Sequence, residues 1–342
     1  MPQMRDSHSP RGPLLPLVRE KAAGAPAVTS VPPSLIILLG PTASGKSALA
    51  VRLAAVLDGE VLNADAMQVY RGLDIGTGKL PLQERGGVPH HLLDLADPRE
   101  TYSAGAFRAR TLEVLAEVQG RGKRPLLVGG TGFYIRALLK DLAPIPAAPA
   151  PLRKVLNRLL DRDGSTALHR WLAVLDPPAA LRIAAGDRQR VERALEVALS
   201  SGRSFSSFHS GEMAVADRLP ALKIGLTLPR PLQRQRVEAR VRAMVVQGWP
   251  EEVRRLLAEG VSPEAHAFKS IGYREMAATL RGVITIDEAV ARTVTRTLQF
   301  AKRQMTWFRG EGGIRWVDAA DAGVAFDEAF GYIRNHDEGE MI

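Results

Sequence analysis

The sequence predicts an α/β fold, a parallel sheet flanked by helices and interrupted by an inserted all-helical domain. Three observations predict it. A short apolar run at 34–39, the length of a buried strand, feeds a glycine-bearing loop at 40–47 and then a helical pattern from Ala48, Leu49 and Leu53. A second strand at 60–65 ends on an acid, and the strand-to-loop pattern recurs at 124–132. Strand character returns at 222–228 after a helical block, which reads as an insertion before the sheet resumes.

The first loop is Gly40-Pro41-Thr42-Ala43-Ser44-Gly45-Lys46-Ser47, a complete G-x-x-x-x-G-K-[ST]. Between a strand and a helix start, free N–H groups and the positive end of the helix dipole both favour a phosphate. Gly40 and Gly45 let the backbone wrap an anion with no Cβ in the way. Lys46 reaches the outer phosphates, and the Ser47 hydroxyl can hold Mg²⁺. The core is therefore P-loop-type, and the chain binds a di- or triphosphate.

The totals narrow the partners. A chain of 342 residues, 45% hydrophobic and 24% charged, suits two globular domains. No apolar run approaches the ~18 residues needed to cross a bilayer. Without cysteine there is no disulfide, thiolate zinc site or thiol nucleophile, which fits a reducing cytoplasm. The net charge of +9 favours polyanions, nucleic acid first and a membrane surface second.

Residues 1–33 are proline-rich without an apolar period and read as a disordered tail. The second strand, at 60–65, ends on Asp65, aimed at the crevice outside the strand ends. Asp65 reads three ways: Mg²⁺ carboxylate, general base or helix N-cap. The 74–79 loop places Lys79 plausibly near phosphates. His90 and His91 lack further ligands nearby and read as structural histidines at a strand edge. A helix is expected over 102–118, then a strand at 125–128, a tight turn at 129–132 and a helix at 133–139. Thr131 brings a hydroxyl to that helix start. The third strand has no acid after it and there is no Asn-Lys-x-Asp, which argues against GTPases and motor ATPases.

The proline-rich stretch at 143–151 is the best domain boundary. We expect an α/β core at 34–142 and 207–320, an inserted helical domain at 143–206, to which the resemblance given below assigns the RNA contact, and a tail or helix at 321–342. Arg190 and Arg193 share a helix face, equally suited to a polyanion or to solvent. Arg236 and Arg240 lie four apart after Pro231. The helical run at 289–309 interleaves Arg292, Arg296, Lys302, Arg303 and Arg309 with Phe300, Trp307 and Phe308. That suits phosphate contact with base stacking, or equally an aromatic core under a charged surface.

These residues, with GPTASGKS (40–47), NADAMQVYRGLDIGTGK (63–79), PHHLLD (89–94), YSAGAF (102–107), LLVGGTGFYIRALL (126–139), DRQRVERALE (187–196), RVEAR (236–240), IGYRE (271–275) and AKRQMTWFR (301–309), resemble the bacterial tRNA dimethylallyltransferases over about 34–316. The resemblance implies transfer of a dimethylallyl group from dimethylallyl diphosphate to N6 of the adenosine 3′ of the anticodon, in tRNAs reading codons that begin with U. It implies a cytoplasmic monomer using Mg²⁺ held by Ser47 and binding the anticodon stem-loop. Asp65 would be the base, and Lys46, Thr131 and Arg240 would complete the catalytic set. The implied RNA path comprises Asp65, Ala66, Met67, Gln68 and Thr131. It continues through Arg153, Gln189, Arg190, Val191, Glu192 and Arg193, then Ile271, Gly272, Tyr273 and Arg274. It ends on Thr297, Gln299, Lys302, Arg303 and Gln304. Ala66 stands where many relatives carry Ser, Ala184-Ala185-Gly186 where His-Pro-Asn is common, and Leu298 where Arg is frequent. The alternative is a P-loop small-molecule kinase, which would not need the basic helix at 289–309.

Overall fold

The computed structural model describes residues 35–140, 145, 148–208 and 219–339. The expected tail at 1–33 lies outside the described residues, as do residues 143, 144, 146 and 147 of the proline-rich boundary. Six strands form one sheet: β1 (Leu35–Leu39), β2 (Gly59–Asn63), β3 (His90–His91), β4 (Arg124–Gly129), β5 (Ala221–Thr227) and β6 (Ile314–Asp318). The order is β3-β2-β4-β1-β5-β6 and every pairing is parallel.

The helices are α1 (Lys46–Val56), α2 (Ala104–Gly120), α3 (Gly132–Leu139), α4 (Ala150–Leu175), α5 (Pro177–Arg182) and α6 (Arg188–Ser201). They continue as α7 (Arg230–Val246), α8 (Trp249–Ala258), α9 (Tyr273–Leu280), α10 (Ile286–Arg309) and α11 (Ala322–Asp337). Local chemistry starts several of them. Ser103 caps α2, and Thr285 with Glu288 forms a capping box on α10.

β1 is apolar throughout because helices cover both sides of it. Leu35, Ile37 and Leu39 join the core shared with α2, α3 and α7 to α10, while Ile36 and Leu38 join the core under α1 and α11. Residues 322–337 are thus a helix packed on α1, with Ala325, Ala329 and Ile333 buried.

Between α3 and β5, helices α4 to α6 bury their own cluster, including Leu156, Leu160, Leu168, Leu172, Val191 and Leu195. Gly164 (φ +78°) breaks the helical backbone inside α4 and kinks it. This helical unit has a core separate from the sheet. No helix among the described residues is long and apolar enough to cross a membrane.

Candidate active site

The site lies outside the carboxyl ends of β1, β2 and β4, where parallel strands leave backbone groups for a ligand. Beyond β1, Gly40, Ala43 and Gly45 take positive φ values of 153°, 63° and 88°. A Cβ on Gly40 would stand 3.0 Å from the Leu226 carbonyl oxygen, so the close approach to β5 needs glycine there. Ala43 in the left-handed region costs about 1–2 kcal/mol, which the loop carries to close its turn. Gly45 opens α1 without a side-chain cap, leaving the first-turn N–H groups for an anion. Ser44 Oγ is buried in the same loop without a protein partner.

Lys46 Nζ donates to the carbonyls of Gly40 (2.9 Å) and Pro41 (2.7 Å). Burial, then the nearby Arg240 charge, lowers its pKa to about 7, against an opposing pull from Asp65. Burial also lowers the Arg240 guanidinium from its ordinary value, again opposed by Asp65.

Asp65 follows β2 and is fixed by its backbone. Its N–H donates to Asn63 Oδ1 (3.1 Å), and Asn63 Nδ2 donates to the carbonyls of Asp65 (3.2 Å) and Leu92 (3.1 Å). Asp65 Oδ1 accepts from Met67 N (2.9 Å), a two-residue turn of the kind that an aspartate forms before a tight bend. Thr131, the N-cap residue of α3, accepts from Ala66 N at 3.0 Å through Oγ1, and so ties the loop after β4 to the Asp65 loop.

Arg240 enters from α7 over the 74–79 loop. A Cβ on Gly78 would stand 1.7 Å from Arg240 Nη2, so the guanidinium occupies the space that a side chain would need. That loop is built around Glu252 of α8, a buried carboxylate. It accepts from the N–H groups of Asp74 (2.8 Å), Ile75 (2.7 Å) and Gly76 (3.2 Å) and from Tyr273 Oη (2.6 Å). Burial and the Glu252 charge hold the Tyr273 phenol well above its usual value.

Two adjoining cavities meet here. The smaller, about 100 Å³, is lined by Lys46, Ser47, Asp65, Gln68 and His90, among others. The larger, about 530 Å³, has an apolar wall of Ala43, Ala66, Met67, Val237, Val241, Met244, Trp249 and Ile271, and a basic side with Lys269, Arg296 and Arg303. Thr42, Asp65, Thr77, Gly130, Arg240, Phe300 and Gln304 line both. All four expected catalytic residues therefore border one connected space. The Ser47 hydroxyl, exposed at the first turn of α1, and the Asp65 carboxylate offer oxygen to the smaller cavity. Hard oxygen donors of this kind suit Mg²⁺, whose remaining ligands are commonly phosphate oxygens and water. Among the described residues no three His, Asp or Glu side chains gather to hold a metal by themselves.

Several expected residues fall elsewhere. Lys79 is buried, pairs with Asp74 (2.5 Å) and Asp94 (2.6 Å), and is spent on structure. Arg236 donates to the carbonyls of Ala319 and Ala320, so only Arg240 of that pair reaches the cavities. Val191 and Tyr273 are fully buried and Gly272 is buried beneath Trp249, which leaves no surface for RNA at these three. His90 and His91 sit on the edge strand; His91 Nε2 lies 2.6 Å from Glu60, while His90 borders the smaller cavity.

The remaining expected RNA residues spread over two surfaces. Ala66, Met67, Ile271, Thr297 and Arg303 line the large cavity. Gln68 gives its amide to the carbonyls of Thr77 and Gly78. Gln299 and Lys302 are exposed on α10, and Arg274 pairs with Glu264. On the helical unit, Gln189 and Arg190 are exposed at the start of α6, while Arg153 and Arg193 both bind the buried Glu196. Glu192 accepts from Asn157 Nδ2 (2.7 Å), and burial with the Glu196 charge raises its pKa. All three aromatics of α10 border the large cavity, Phe308 from the fully buried core and Phe300 and Trp307 with part of their surface accessible.

Sequence reasoning missed Asn63, Glu252, Trp249 and the part of the apolar wall that α7 supplies. The alternation of α7, with Val237, Val241 and Met244 on one face, could have flagged that wall.

Family models match in two places: "IPP transferase" over residues 68–311 and "Isopentenyl transferase" over 33–94. The chain is 47% identical over 284 residues to the tRNA dimethylallyltransferase of Geobacter metallireducens, covering 83% of this chain and 92% of that protein. It is 42% identical over 294 residues to that of Desulforudis audaxviator, covering 86% and 94%. Among solved structures, the tRNA isopentenylpyrophosphate transferase of Bacillus halodurans is 36% identical with a TM-score of 0.66, covering 90% and 97%. A eukaryotic dimethylallyltransferase acting on tRNA is 28% identical with a TM-score of 0.76, covering 90% and 81%.

Proposed function

The chain belongs to the IPP transferase family, and we propose that it carries dimethylallyl from dimethylallyl diphosphate to N6 of the adenosine 3′ of the anticodon. It is an enzyme that prenylates tRNA. The relatives favour this over a small-molecule kinase.

One observation carries the finer reading: an anion-shaped loop and an apolar cavity share a wall at Asp65 and Arg240. A donor with a charged diphosphate and a branched five-carbon tail needs both environments at once. The diphosphate would lie in the loop against Lys46 and the α1 N-terminus, with its tail in the apolar cavity. Ser47 and the diphosphate would hold Mg²⁺, which when bound offsets the negative charge on the leaving group.

The adenosine N6 amine attacks the allylic carbon. A C–N bond forms, the C–O bond to the diphosphate breaks with its electron pair leaving on oxygen, and one N6 proton passes to Asp65. Adenine N6 is a poor nucleophile, so a base must take that proton as the bond forms. Met67 N–H fixes Asp65 Oδ1, which orients the carboxylate. Arg240 stays a cation and stabilises charge on the departing diphosphate. Thr131 holds the Asp65 loop through Ala66 N–H. The base must leave its stack to reach this cavity, and Phe300 and Trp307 offer aromatic faces there. Exposed cations on α6 and α10 would meet the anticodon stem-loop, and the net charge of +9 favours that encounter. The resemblance further implies a cytoplasmic monomer.

The test incubates the protein with Mg²⁺, dimethylallyl diphosphate and unmodified tRNA, then weighs the nucleosides by mass spectrometry. Adenosine should gain a C5H8 unit with wild type and not with Asp65→Ala. Consumption of ATP with a small acceptor, and no gain on tRNA, would replace this reading with a kinase.

A further inference from the structure

We infer that Gln304 is a positioning residue for the phosphate loop and not a contact for RNA. The inference rests on the reading of that loop as the diphosphate site.

Gln304 lies on α10 and is 6% exposed. Its Oε1 accepts from Thr42 N at 2.9 Å, and its Nε2 donates to the Gly130 carbonyl at 2.8 Å. One amide therefore joins the crest of the loop after β1 to the turn after β4. The two bonds also fix which end of the amide is oxygen, since the N–H of Thr42 needs an acceptor and the carbonyl of Gly130 a donor. Gly130 is shaped to this arrangement: a Cβ there would stand 2.2 Å from Gln304 Nε2.

Thr42 is held a second time. Gln233 Nε2, from α7, donates to its carbonyl at 3.3 Å. Both backbone polar groups of Thr42 are thus satisfied by side chains of the two helices that carry Arg240 and the basic cavity wall. A loop held this way is already ordered when its ligand arrives. Without the amide, binding must order the loop, and that entropy is subtracted from affinity. A glutamate at 304 would keep the acceptor for Thr42 but face the Gly130 carbonyl with a second acceptor.

The experiment compares wild type with Gln304→Met, Gln304→Glu and Gly130→Ala. Calorimetry gives the Kd for inorganic diphosphate, and anisotropy the Kd for an anticodon stem-loop. Steady-state kinetics give the KM for dimethylallyl diphosphate and for tRNA, and thermal unfolding confirms that each variant is folded. Gln304→Met has nearly the same length and no hydrogen bonds. It should weaken diphosphate binding and raise the donor KM about tenfold, the scale of two lost hydrogen bonds. The stem-loop Kd and the tRNA KM should stay within about twofold. Gly130→Ala should weaken diphosphate binding in the same direction, by pushing the amide away from the other side, and serves if the 304 variants do not fold. An unchanged diphosphate Kd in the folded variants overturns the inference, as does a weakened stem-loop Kd with the donor KM unmoved. Diphosphate binding needs no tRNA. A wild-type protein that binds diphosphate but prenylates nothing would refute the proposed function and still leave the role of Gln304 measurable.

Discussion

Asn63 and Asp65 hold each other across the end of β2: the Asp65 N–H donates to Asn63 Oδ1 at 3.1 Å, and Asn63 Nδ2 donates back to the Asp65 carbonyl at 3.2 Å. Asn63 also donates to the carbonyl of Leu92, whose φ of +63° is an uncommon conformation for leucine. A single buried amide therefore sets the backbone that aims the candidate base. Asn63→Ala should lower kcat by about tenfold or more while leaving the donor Kd unchanged. It should also cost about 1–3 kcal/mol of stability, because the Leu92 carbonyl loses its partner. Single-turnover kinetics and urea unfolding read the two effects separately.

Gly78→Ala tests Arg240 without touching it. The new Cβ would collide with the guanidinium, the movable end of a long side chain, so Arg240 should shift while the fold survives. With φ at +63°, alanine also costs about 1–2 kcal/mol in backbone strain. Gly87→Ala is the control, with φ at +77° and open space around it. Both variants should lose similar stability. Only Gly78→Ala should lose kcat, by about 10²–10³-fold if Arg240 stabilises the leaving group. Equal kcat in the two variants would remove Arg240 from that role.

Glu252 predicts a stability pattern. Tyr273→Phe removes one hydrogen bond to a buried carboxylate and should cost about 1.5–3 kcal/mol. Glu252→Ala strands the N–H groups of Asp74, Ile75 and Gly76 along with the phenol, and should cost about 3 kcal/mol or more. The 74–79 loop carries Thr77 and Gly78 against the cavities, so Glu252→Ala should weaken diphosphate binding as well. Urea melts and calorimetry check both.

Legibility followed the range of the interactions. The β1 run, the phosphate loop and the α1 pattern are local signals, and the structure places them as the sequence reads. Asp65 and Thr131 were legible because parallel strands aim their carboxyl ends at one crevice. Lys79 was misread because a lysine in a glycine-broken loop looks like a phosphate ligand, and nothing local reveals that Asp94 comes round to claim it. α8, which starts between Gly248 and Pro250, went unread, and with it Glu252, whose backbone partners lie more than 170 positions upstream in the loop at 74–76. Gln304 sits among exposed cations in the sequence, but its own face of α10 turns inward to Thr42.

Lys46 makes donor binding pH-dependent, and the sign follows from its environment. In the free protein, burial and Arg240 hold its pKa at about 7. A bound diphosphate favours the ammonium and raises that pKa. Between the free and bound values the complex carries one more proton than the free protein. Affinity should therefore fall as pH rises above about 7, approaching tenfold per unit. Below about pH 7 Lys46 is protonated in both states and contributes no slope. The donor's own phosphates titrate too, so the readout is the difference between wild type and Lys46→Met. At pH 8, calorimetry in two buffers of different ionisation enthalpy should show wild type taking up close to one proton more than the variant. Equal proton uptake would mean that Lys46 is already charged in the free protein. For folding, the unfolded chain binds a proton between pH 7 and 10.5 that the native protein does not. The contribution of Lys46 to stability therefore rises with pH across that window, opposite to its effect on donor binding. Urea unfolding of the wild type and Lys46→Met proteins at pH 7 and pH 9 separates these two signs.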